Sequence, residues 1–101
     1  MTNFFAKAAR NILKLTSTVG SSTWGHANEI ALIHLVANVT EGAKGCGNGK
    51  PATILDLVND LFEAMEMGGP QDVQESLGYL RSYCNDLIAE ANQGAALPEA
   101  A

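Results

Sequence analysis

Apolar residues along this chain recur every three or four positions, the repeat of an α-helix. The widest apolar face lies within residues 27–41. Projected at ~100° per residue, Leu32, Ile33, Leu35, Val36 and Val39 fall on one arc, with Ala27, His34, Asn38 and Glu41 opposite. No glycine or proline interrupts the stretch. A stripe wider than ~100° belongs to a helix that neighbours cover, so the pattern predicts a central helix here.

Three further segments share the period. Phe4, Phe5, Ala8, Ile12 and Leu15 mark a helix over 3–16. Ile54, Val58, Leu61, Phe62 and Met65 mark one over 52–67, begun either by Pro51 or by Thr53 with Asp56 three residues on, the spacing of a capping pair. Gly68-Gly69-Pro70 stops it. Over 71–93, Val73, Leu77, Leu80, Cys84, Leu87 and Ala91 step alternately by four and three, a heptad seam suited to an antiparallel neighbour. Gly78 inside that helix costs up to ~1 kcal/mol relative to Ala, which a close helix crossing would explain. Gly94 closes the helix. No stretch has the period of a strand. The fold expected is all-α: a small single-domain bundle of about four helices over 1–94, with a Gly-rich loop between the second and third. A tail without structure follows at 95–101. The short link at 68–70 makes the last two helices an antiparallel hairpin.

Length and composition narrow the class. The 101 residues fit one domain, 47% of them apolar and 17% charged. There is no apolar run of ~18 residues, so no membrane span is expected. Lys7, Arg10 and Lys14 interleave with the first apolar positions, unlike a signal peptide, and a cytoplasmic location is expected. Two cysteines make no disulfide framework. The net charge of −5 is unevenly placed. Residues 1–50 carry five Lys or Arg against two acids, a net +3, whereas 51–101 carry one against nine, a net −8. Such asymmetry steers a partner or lets the halves neutralise each other. With no nucleic-acid motif and a negative total, direct nucleic-acid binding is not expected.

Candidate contact residues follow from charge and residue type. Asp56, Asp60, Glu63 and Glu66 share the polar face of the third helix. Catalytic carboxylates need a shielded pocket that splits their pKa values, so these read as a solvated face or as a surface for a basic protein. Trp24, the one tryptophan, serves as a lid on the core or as an interface anchor. Tyr79 and Tyr83, with Arg81, lie off the heptad seam on more exposed positions. Lys7, Arg10 and Lys14 share a basic face that suits an acidic partner or an anionic surface, or is simply solvated.

The loop over 42–50 carries Gly42, Gly45, Gly47 and Gly49. It is not a phosphate loop, because Pro51 follows Gly49-Lys50, Lys44 stands where the first glycine belongs, and a helix precedes it. Glycine amides with Lys44 and Lys50 could still hold an anion. Cys46, near those cations, is the more reactive thiol expected, and Cys84 in the seam the inert one. His26 and His34 stand ~12 Å apart at ~1.5 Å per residue, too far to share a metal. His26 with Glu29 and His34 with Asn38 are plausible side-chain pairs. No metal and no cofactor are implied.

Three functional expectations result. One is a small acidic helical protein that covers a surface of a larger, heterologous partner without catalysis, similar in bulk properties to inhibitors, immunity proteins, antitoxins and anti-defence proteins of bacterial or viral origin. Another is an assembly subunit that homo-oligomerises through its helices. The last is a small ligand-binding or thiol-dependent module built on the 42–50 loop.

Overall fold

The computed structural model describes residues 2–46 and 48–100, with side chains from 3 to 93 apart from Gly47. It holds four α-helices: α1 (Thr2–Leu15), α2 (His26–Ala43), α3 (Lys50–Met67) and α4 (Pro70–Ala100). A 3-10 turn spans Thr16–Thr18. No strand occurs among the described residues. The all-α bundle and the α3–α4 hairpin agree with the hydrophobic pattern.

Helix α1 packs on the core. Phe5, Ala6, Ala8, Ala9 and Ile12 are buried, while Lys7, Arg10 and Lys14 are exposed. A helix leaves its last carbonyls without intrahelical donors. Here two side chains supply them. The Thr16 hydroxyl, almost fully buried, donates to the Ile12 carbonyl at 2.7 Å. Arg81 Nη1, from α4, donates to the Leu13 carbonyl at 2.9 Å and to Thr16 Oγ1 at 3.0 Å. The guanidinium also sits where the α1 macrodipole is negative. The pattern predicts Arg81 at an exposed position, but this reach half-buries it.

The central helix is α4, not α2. Helix α4 packs most extensively on α1 and next on α3, whereas α2 packs more sparingly on α1 and α3. The predicted α4 seam holds: Leu80, Cys84, Leu87 and Ala91 are buried, with Val73 and Leu77 packed against them. Helix α2 buries Leu32, Val36, Val39 and Ala43, but Ile30 is 42% and Ile33 53% exposed. Its apolar arc is wider than its two neighbours cover.

The connections differ in detail from the pattern. Gly25 precedes α2, and its N–H donates to Asn28 Oδ1 at 3.0 Å. Lys44 ends α2 in the left-handed region at φ 52°. Helix α3 starts at Lys50 with Pro51 in its first turn, so Thr53 is not the cap; its hydroxyl donates back to the Gly49 carbonyl at 3.1 Å. Helix α4 continues past Gly94, where the sequence predicts its stop, to Ala100, although Gly94 and Pro98 are both poor helix formers. The side chains of 94–100, and residue 101, lie outside the described residues. No helix among the described residues is long and apolar enough to cross a membrane.

Gly78 serves no close crossing, since a methyl built on it meets nothing within 4 Å. Gly78→Ala is therefore expected to raise stability by ~0.5–1 kcal/mol in urea unfolding. Arg81→Ala leaves the end of α1 without its cationic donor and is expected to cost ~1.5–3 kcal/mol by the same measurement.

Candidate functional site

Helices α2 and α3 are joined by the short connection 44–49 and run antiparallel. Between them lies an apolar groove of about 600 Å³. Ile33, Val36 and Ala37 form one wall, and Leu55, Val58 and Phe62 the other. Val36 and Val58 are buried at its floor, while Ile33 and Leu55, 53% and 41% exposed, stand at its lips. A smaller hollow of about 310 Å³ shares Thr40 and Leu55 with it and continues to Cys46, Gly49 and Pro51. The two make one furrow along the hairpin.

The border of the furrow is acidic. Glu41 lines it directly, as does the polar Asn59. Asp56 and Glu63 flank Asn59 at spacings of three and four, and Glu66 follows Phe62 by four. Helical residues so spaced share a face, so these exposed carboxylates run beside the groove. Asp60, also exposed, lies one turn from Asp56, further from the furrow. Among the described residues the only close acid–base side-chain contacts are the Lys50 Nζ to Glu90 Oε1 ion pair at 3.6 Å and His26 Nδ1 to Glu29 Oε2 at 3.8 Å. The α3 acids take part in neither.

The other predicted site residues are dispersed. Trp24 is half-buried and packs against the core, but its indole N–H is enclosed without an acceptor, not left in water as the lid reading expects. Tyr83 also packs against the core, whereas Tyr79 is 68% exposed. Lys7 and Lys14 edge shallow hollows between α1 and α2, away from the groove.

Lys44, Lys50 and Cys46 do not converge on one anion site. Lys50 turns to Glu90 on α4 and sits 5.9 Å from the Phe5 ring centroid, and neither lysine lines the hollow beside Cys46. Gly47 lies outside the described residues. His26 has the partner its spacing suggested, and His34 is exposed. No group of three or more His, Cys, Asp or Glu is placed to hold a metal among the described residues.

Sequence reasoning missed the groove because it assigned Ile33 to the core; Phe62 does pack against the core, and it lines the groove as well. The signal was present in excess: Leu55 adds a second apolar ridge to α3, and Ile30 one to α2, beyond what one packing face requires. Compared with known proteins, the chain matches no family model, no curated protein and no solved structure.

The thiols separate as expected. Cys46 is exposed and Cys84 buried. Burial pushes the Cys84 thiol from 9.0 up to about 11, offset in part by the Arg81 guanidinium. The thiolate is the nucleophile, so one thiol is expected to react with a disulfide reagent at pH 8 in the native protein and two in denaturant. Because folding favours the protonated Cys84 thiol, that group's contribution to stability is present below pH 9 and falls as pH rises from 9 towards 11. Titrating stability over that range in Cys84→Ala is expected to remove this component.

Proposed function

We propose that this chain is a protein-binding module that covers a surface of a larger, heterologous partner and performs no catalysis itself. The observation that carries the reading is the α2–α3 furrow, an apolar strip that the fold leaves uncovered and borders with carboxylates. Contiguous exposed apolar surface with a polar border is what protein interaction sites present. The net −8 of residues 51–101 adds long-range attraction for a basic partner. Inhibitors, immunity proteins, antitoxins and anti-defence proteins work in this way.

A second reading, homo-oligomerisation, draws on Ile30, Ile33 and Ala37 of α2. They step by three and four along the helix as a coiled-coil seam does, and all three are exposed.

Retention of one heterologous protein near stoichiometry from lysate of the natural source tests the first reading. Charge reversal at Asp60 and Glu63 is expected to weaken that capture more than reversal at Lys7 and Arg10. The opposite ranking moves the contact to the basic face of α1. A mass that rises with concentration, with no other protein retained, selects the second reading.

A further inference from the structure

We propose that the α2–α3 furrow receives an amphipathic α-helix with a basic flank, supplied by the partner. This rests on the binding-module reading and specifies what the module binds.

Shape is the first argument. From Pro51 to Phe62 the furrow follows α3 for ~16 Å at ~1.5 Å per residue, about three helical turns. Its walls are ridges of side chains on two antiparallel helices, the surface into which a third helix lays anchors at i, i+3 or i+4, and i+7. Among the described residues there is no strand whose edge an extended peptide could join.

Charge selects among helices. Glu41, Asp56, Glu63 and Glu66 border the furrow, whereas α2 carries no Lys or Arg and α3 only Lys50, which is paired with Glu90. Lys44, one turn past Thr40, is the remaining cation of the hairpin. In a two-fold contact between copies, the same acidic border would face itself across the interface, which costs affinity. A helix with Lys or Arg beside its apolar stripe meets those acids instead. This chain has one such helix, α1, but Phe5 and Ile12 on its apolar side are buried in its own core.

The experiment measures fluorescence anisotropy of a labelled synthetic peptide about three turns long, roughly 11 residues, held helical by a side-chain staple on its outer face, with Leu at i, i+4 and i+7 and Lys on the flanks. The full-length chain is expected to bind it, and to bind the same peptide with Glu for Lys at least ~10-fold more weakly, a difference of ~1.4 kcal/mol. Ile33→Gln and Leu55→Gln replace exposed groove residues without adding charge. With circular dichroism unchanged, each is expected to weaken binding at least several-fold, and Ser82→Ala, exposed on α4 and off the groove, is expected to leave it unchanged. Glu41→Gln with Glu63→Gln is expected to reduce both affinity and its salt dependence. Binding that ignores Ile33 and Leu55, or that is equal for the acidic peptide, overturns the proposal. So does a dimer that Leu55→Gln dissociates, which assigns the furrow to a second copy. If no basic helix binds, yet capture of a heterologous protein is lost in Ile33→Gln, the helical occupant is wrong and the binding module stands. If the peptide fails and no heterologous protein is captured, both fall.

Discussion

Arg81 reaches from the middle of α4 to the last turn of α1 and ties together the two helices that pack most extensively on each other. Its guanidinium gives the Leu13 carbonyl and the Thr16 hydroxyl their donor at the point where α1 runs out of its own. A hydrogen bond from a charged group is among the stronger polar contacts available, and this one fixes register as well as proximity. With α1 laid along α4, the seam from Leu80 to Leu87 meets Phe5, Ala9 and Ile12 in one core. Helix α3 folds back on α4 through Gly68-Gly69. Helix α2 is left to bridge α1 and α3.

That geometry explains the exposed apolar surface. A helix held by two neighbours buries one arc, and α2 carries apolar residues over more than one. Leu32, Val36 and Val39 go inward while Ile30 and Ile33 stay out. Leu55 of α3 is outside for the same reason. Exposed Ile and Leu side by side are unfavourable in a monomer that has no use for them. The carboxylates beside the strip limit indiscriminate association, and they restrict which surfaces approach it. The site proposed here is thus the part of α2 and α3 that the spine of the bundle does not need.

The sequence made parts of this legible. The α4 seam, the Gly68-Gly69 stop and the hairpin could be read because each depends on residues close together along the chain. Lys7, Arg10 and Lys14 were correctly placed on the outer side of α1, since periodicity alone decides that. Three things could not be read. The long reach of Arg81 makes burial at a seemingly exposed position invisible to a helical projection. Lys50 was grouped with Lys44 and Cys46 by proximity in sequence, yet its partner Glu90 comes from a distant helix. The role of α2 was misjudged because apolarity says that a helix wants cover, not whether its own chain provides it.

The central claim is that α1 and α4 form the spine and that the outer face of α2 is open in the free chain. Native-state amide hydrogen exchange, resolved by helix, tests it most directly, because local opening is easiest where packing is thinnest. The account predicts slowest exchange in α4 around Leu80–Leu87 and in α1 around Phe5–Ile12, with α2 opening at lower free energy than either. If α2 were instead the most protected helix, it would be the covered centre of the bundle, and the open furrow would not exist in solution.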